Sequence, residues 1–161
     1  MTTRKTKTDK PKFYDLKAIL SKNADYNVIF GERSNGKTYA ALKYGLENYI
    51  KTGKQMAYIR RWREDLRGKR AESLFANHVA NGLIEELTEG KFNEVFYMSN
   101  KWFLSYYDAE KNKRTPDQTP FCYGFCLSEQ EHEKSSSYPN VTTIVSVSYT
   151  HLRAHETSLH L

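Results

Sequence analysis

Gly31-Glu32-Arg33-Ser34-Asn35-Gly36-Lys37-Thr38 brings two glycines, a lysine and a hydroxyl into the spacing G-x-x-x-x-G-K-[ST], and that spacing suits one kind of chemistry. Gly31 and Gly36 open backbone dihedrals that other residues avoid, so successive N–H groups can turn inward on an anion. A helix starting near Lys37 adds its positive end, Lys37 can reach terminal phosphates, and the Thr38 hydroxyl is a ligand for Mg2+. The loop therefore reads as a P-loop for a nucleoside triphosphate with magnesium. Glu32, Arg33, Ser34 and Asn35 line it between the glycines. Lys37 and Arg33 are the candidate catalytic groups. A guanidinium at Arg33 can meet the γ-phosphate in cis and offset charge developing in the transition state, or it can stand in solvent; both readings are open.

The flanking residues supply the elements that would position such a loop. Val28-Ile29-Phe30 enters it as a short apolar run, the expected P-loop strand, and Tyr39, Leu42, Leu46, Tyr49 and Ile50 leave it at helical spacing. Gln55 to Arg60 has the apolar content of a buried parallel strand. Arg60, Arg61, Arg63, Arg67, Lys69 and Arg70 would then emerge at its carboxyl end, where open α/β sheets bind ligands. Nucleotide, a neighbouring subunit, DNA phosphates or plain solvent are the surroundings open to them.

Residues 71 to 87 read as an amphipathic helix weakened at Gly82, with His78 on its apolar face as a core or boundary histidine. After Gly90 the period changes: Val95 to Met98, a polar Ser99-Asn100 turn and Lys101 to Tyr107 make a β-hairpin. A polar loop from Asp108 to Pro120 leads to an aromatic strand over Phe121 to Leu127, and the whole of 93–127 is expected as an antiparallel insertion on an α/β core. Ser128 to Lys134 holds a short capped helix, 135–140 a loop, and Val141 to Val145 a β-branched strand.

Composition bounds the rest. A chain of 161 residues, 39% hydrophobic and 14% aromatic, can bury one domain-sized core. No apolar run approaches a membrane span, and no signal peptide precedes the domain, so a cytoplasmic protein without a membrane partner is expected. Cys122 and Cys126 lie in an apolar run without a second pair, which fits buried reduced thiols. Of the net charge of +6, residues 1–12 carry +4: Arg4, Lys5, Lys7, Lys10 and Lys12 against Asp9. That segment reads as a flexible basic N-terminus, with a nucleic-acid arm as the alternative.

A hydrolytic P-loop protein needs an acidic residue for magnesium after its next core strand, usually beside a catalytic carboxylate. Here Val145 is followed by Ser146-Val147-Ser148-Tyr149 instead. Val147 to Thr157 back-translates into the mosaic-end adapter of transposase-based sequencing libraries, so 147–161 is read as a non-native tail. His151, His155 and His160, three of the five histidines, are then no metal site. The domain reading is accordingly a partial ATPase domain over 13–146 that continues beyond Val145 in its natural form.

Residues 26 to 145 resemble the DNA encapsidation ATPases of small tailed phages, relatives of the large terminases. The resemblance rests on Asn27-Val28-Ile29-Phe30 entering the loop, on Tyr58-Ile59-Arg60-Arg61 closing the second strand, and on Glu133-Lys134-Ser135 and Ser137 to Val145. It implies a P-loop α/β parallel sheet of the additional-strand, catalytic-glutamate class, truncated before its magnesium aspartate and catalytic glutamate. It also implies a homo-oligomeric ring that binds ATP and Mg2+ between subunits, hydrolyses ATP and drives double-stranded DNA into a procapsid through its portal, in the host cytoplasm. Lys134 matches a family lysine that faces the neighbouring subunit. In that class a later strand lies between the P-loop strand and Val141–Val145, so this chain by itself is expected to be poorly soluble and without turnover. Two other classes stand beside this one: another P-loop ATPase or phosphotransferase, and a non-hydrolysing nucleotide-binding module if the C-terminus is native. DNA-stimulated hydrolysis by the complete protein separates the motor from the first, and a native C-terminus without an acid after Val145 selects the second.

Overall fold

The computed structural model describes residues 14–31, 36–128 and 136–147. Expectations for the basic N-terminus, for Glu32 to Asn35, for the helix before Lys134 and for the tail fall outside these residues.

The frame is one mixed sheet in which β2 (Glu94–Met98), β3 (Lys101–Asp108), β5 (Cys122–Cys126), β1 (Gln55–Arg60) and β6 (Val141–Ser146) lie side by side in that order. Strand β1, Gln55–Arg60, is buried along almost its whole length, as a central strand covered on both faces must be. It pairs in parallel with β5, Cys122–Cys126, on one side and with β6, Val141–Ser146, on the other. The expected strands at Gln55 to Arg60 and Val141 to Val145 are therefore present.

Strands β2, Glu94–Met98, and β3, Lys101–Asp108, form the anticipated hairpin. Ser99 and Asn100 both take positive φ, 51° and 60°, the two-residue turn whose twist matches that of the strands. The insertion is not antiparallel throughout, however. Phe121 to Cys126 returns into the parallel core beside β1, and only its start, at Cys122 and Tyr123, runs antiparallel to β3. Within the presumed loop, β4, Lys113–Pro116, adds to the far half of β3. It is exposed throughout, which is why no apolar alternation announced it.

A larger departure concerns Val28-Ile29-Phe30. This segment is not in the sheet; Val28 is 76% and Phe30 88% exposed. A strand forms only where a neighbour offers a hydrogen-bond ladder, and among the described residues nothing pairs with 26–30. The outer side of β6, the edge strand, is likewise unpaired among them, and Ile144 on β6 is 66% exposed. Apolar content alone supplied the expectation; the ladder partner is what the segment lacks.

Helix α1, Lys17–Leu20, is a single short turn. Helix α2, Lys37–Thr52, lies on the sheet with Leu42, Gly45 and Leu46 buried. The amphipathic stretch at 71–87 folds as short pieces: α3, Gly68–Glu72; a 3-10 turn, Ser73–Phe75; α4, Ala76–Ala80; and α5, Leu83–Leu87. The expected weak point at Gly82 is one of these breaks: its φ of 71° starts α5 and would cost other residues strain. These helices and the sheet close on one core around Leu42, Leu46, Met56, Phe75, Ile84, Trp102 and Phe121. Trp102, wholly buried, donates its indole N–H to the Ala71 carbonyl at 2.8 Å and meets Tyr58 and Phe75 edge-on. On the opposite face of β5, Tyr123 and Phe125 pack their rings against Tyr138.

Candidate functional site

The direction of α2 decides where the glycine-bracketed loop can act. Asn48, late in α2, reaches Thr142 at the start of β6, Tyr49 meets Phe121 just before β5, and Gly53-Lys54 leads straight into β1. The last turns of α2 thus lie at the amino ends of the parallel strands, and its first turn, with Lys37 and Thr38, lies toward their carboxyl ends. That edge is where open α/β sheets hold ligands.

Gly36 takes φ 82° and ψ 8°, the left-handed region, at the N-cap of α2. A side chain here would carry strain although space exists for it. Its carbonyl already accepts the first helical bond, from the Ala40 N–H at 2.9 Å. The first turn of α2 holds no acidic side chain, so nothing within it cancels the positive end of the helix dipole. Lys37 and Thr38 are both half-buried. Gly31, Gly36, Lys37 and Thr38 are the described members of the expected phosphate set, and the donor chemistry of the last three, ammonium, hydroxyl and helix N-terminus, fits a magnesium-bound polyphosphate. Glu32, Arg33, Ser34 and Asn35 lie outside the described residues.

A second group stands at the same edge. Arg60, the last residue of β1, is buried and donates from Nε and Nη2 to Asp65 Oδ2 at 3.1 and 2.9 Å. Its Nη1 donates to the Val147 carbonyl at 3.1 Å, tying the chain leaving β6 to the end of β1. Asp65 Oδ1 also receives Arg70 at 3.2 Å. The basic cluster therefore divides. Arg60 is a structural clasp, whereas Arg61, Arg63, Arg67, Lys69 and Arg70 are exposed around the turn that follows β1, with Arg61 over the ring of exposed Trp62 at 4.9 Å. Spacing placed the arginines at the strand end; only the fold reveals Asp65 as the partner of the first.

His78 is buried, as expected of a core histidine, and touches α2 directly. Its Nε2 lies 3.1 Å from the Tyr39 carbonyl and its ring stacks on Tyr39 at 4.1 Å, 10° from parallel. No sequence signal joined residues 39 apart in the chain. Burial holds the His78 pKa below the ordinary histidine value; the Tyr39 carbonyl opposes that shift and the Lys43 charge adds to it.

Among the described residues no group of three or more His, Cys, Asp or Glu could hold a metal ion, and no helix is long and apolar enough to cross a membrane. Cys122 and Cys126 are free thiols; burial raises the Cys122 pKa well above its ordinary value, which keeps it an inert thiol.

These features define a mixed α/β domain with a glycine-capped helix and a basic turn at the carboxyl edge of its parallel strands. The chain belongs to the podovirus DNA encapsidation protein (Gp16) family, whose profile matches residues 8–124. It is 28% identical over 137 residues to the DNA packaging protein of Bacillus phage phi29, covering 85% of this chain and 35% of that protein. To the DNA packaging protein of Bacillus phage B103 it is 31% identical over 127 residues, 79% of this chain and 33% of the relative. The chain thus spans about a third of the length of these relatives. Its fold is similar to the crystal structure of the N-terminal domain of the phi29 DNA packaging ATPase, with a TM-score of 0.55 and 25% identity over 83% of this chain and 58% of that one. A subunit of the phi29 viral genome packaging motor assembly superposes with a TM-score of 0.61 and 27% identity, over 92% of this chain and 38% of the other.

Proposed function

We propose that this chain is the nucleotide-binding part of an ATP-driven motor that packages double-stranded viral DNA into a procapsid. The observation that carries the reading is the left-handed Gly36 opening α2, with Lys37 and Thr38 next in line, in a chain of the DNA encapsidation family. Lys37 and the first-turn N–H groups would hold the phosphates, Thr38 would hold the magnesium ion, and the ion when bound supplies charge compensation on the phosphates. Gly31, Glu32, Arg33, Ser34 and Asn35 complete the cradle, with Arg33 a candidate for charge developing at the γ-phosphate. This is a P-loop fold of the catalytic-glutamate class in our reading, and its acidic pair follows β6 in the complete protein.

The exposed arginines after β1 suit a partner recognised by its phosphate charge and not its sequence. Double-stranded DNA, threaded through a homo-oligomeric ring docked on a portal in the host cytoplasm, supplies such a partner. The absence of Asp and Glu directly after Ser146 favours a second reading, a non-hydrolysing nucleotide-binding module, provided that residues 147–161 are native.

Titration with a fluorescent ATP analogue and Mg2+ tests the binding step. Lys37→Ala should weaken binding at least tenfold, as loss of a charge-assisted contact to phosphate does. Equal affinity in wild type and Lys37→Ala would refute the phosphate site. DNA-stimulated ATP hydrolysis by the complete protein, lost in Lys37→Ala, separates the motor from the module.

A further inference from the structure

We propose that His78 is a positioning residue for the phosphate-binding turn: donating from Nε2 to the Tyr39 carbonyl and stacking on the Tyr39 ring, it holds the first turn of α2 so that Lys37 and Thr38 face the phosphates. The inference rests on the nucleotide reading above for its consequence, and on the contact itself for its geometry.

A carbonyl oxygen only accepts, so the 3.1 Å contact places the imidazole proton on Nε2. Nδ1 is then the unprotonated nitrogen, and it is buried without a hydrogen-bond partner among the described residues. His78 is 1% exposed, a place where an apolar side chain would avoid that orphaned acceptor. The compensation lies in what Nε2 and the ring hold. Tyr39 directly follows Lys37 and Thr38 in the first turn of α2, so fixing its carbonyl and ring fixes the backbone that carries both.

The clamp has a firm base and a second tie. Phe75, wholly buried, packs against the His78 ring at 5.5 Å and against Phe121 at 4.9 Å, which locks the imidazole to the core under β5. From the same segment, Asn81 Nδ2 donates to the Tyr39 hydroxyl at 3.3 Å. Core, His78, Tyr39 and Lys37-Thr38 thus form one contiguous line of packed groups. The side chain does not touch nucleotide; its effect passes through the helix turn, which small displacements at a phosphate site make costly.

The test compares His78→Phe, which keeps a stacking ring and deletes the donor, with His78→Gln, which keeps a donor near the Nε2 position. Amide hydrogen exchange across residues 37–42 and the affinity for a fluorescent ATP analogue with Mg2+ are read on the same samples of the complete protein. In His78→Phe, exchange in 37–42 should rise about fivefold to tenfold, the worth of one hydrogen bond, and affinity should fall by a similar factor. His78→Gln should recover most of both. Wild-type protection of 37–42 in a folded His78→Phe chain overturns the clamp. Faster exchange with unchanged affinity overturns the positioning role. Wild type that ignores the analogue refutes the nucleotide reading and with it the role toward phosphate, while the exchange data still decide whether His78 holds the turn. Should His78→Phe fail to fold, His78→Gln against wild type decides: protection and affinity near wild type support a donor clamp, and loss of both overturns it.

Discussion

Arg60 and Asp65 form a two-pronged ion pair at the carboxyl end of β1, with Nε and Nη2 of the guanidinium sharing one carboxylate oxygen at 3.1 and 2.9 Å. The Arg60 side chain is 7% exposed and that of Asp65 18%, so water screens this pair little. The Arg70 side chain, bonded to the other oxygen, is 73% exposed.

The two arginines should therefore differ sharply in what Asp65 means to them. Asp65→Ala removes the carboxylate from a buried guanidinium and should cost about 3 kcal/mol, whereas Arg70→Ala should cost about 0.5 kcal/mol or less. Urea denaturation of both variants checks this, and equal losses would place the value of the pair at the surface.

Gly45 on α2 faces Met56 on β1 so closely that an added Cβ would lie 2.6 Å from Met56 Sδ and 3.4 Å from its Cβ. Alanine would gain about 1 kcal/mol in helix propensity, but Met56 is wholly buried and overpacking there costs about 1–3 kcal/mol. Gly45→Ala should destabilise by roughly 1 kcal/mol net. Combined with Met56→Val, it should cost less than the sum of the two, a coupling that a double-mutant cycle of denaturation midpoints measures.

Acid should loosen the domain through His78. Its folded pKa lies below the ordinary histidine value of about 6.5 because burial disfavours the cation, so the unfolded chain binds the proton more readily. Stability is then fully present above pH 6.5, falls as pH drops below that value, and goes on falling to the lowered folded pKa. The groups around the imidazole, Tyr39 and Lys43 on α2 and Phe75 beside it, offer no counter-charge. Thermal midpoints between pH 8 and pH 5 should decline less in His78→Gln than in wild type.

The hairpin turn leaves room for improvement. Ser99 takes φ 51°, which serine adopts at a cost and asparagine tolerates at this position of the turn. Ser99→Asn should add about 0.5 kcal/mol. Asn100→Gly should gain less, because the Asn100 side chain lies 3.0 Å from the Tyr97 hydroxyl, a contact glycine would lose. Thermal melts of the two variants rank them.

Elements whose environment is written in their own residues were legible. Gln55–Arg60 and Val141–Ser146 are strands because apolar, β-branched and aromatic runs between polar breaks suit a sheet. The hairpin followed from two apolar runs about a polar pair, and α2 from its period and the glycine before Lys37. Val28-Ile29-Phe30 has the same apolar content yet stands exposed outside the sheet, and exposed β4 has no apolar content yet pairs. Pairing depends on a neighbour, and a neighbour is a long-range fact that local composition does not hold.

By itself, then, the sequence determined the chemistry offered by Gly31, Gly36, Lys37 and Thr38, the reduced state expected of the two cysteines and the family resemblance, because each depends on residue identity and short spacing. Tertiary structure alone decided that Phe121–Cys126 joins β1 in parallel, that Arg60 is buried against Asp65 while its basic neighbours are exposed, and that His78 grips Tyr39. Those contacts join residues brought close by closure of a shared core, and the free energy that selects them is a sum over the packed whole.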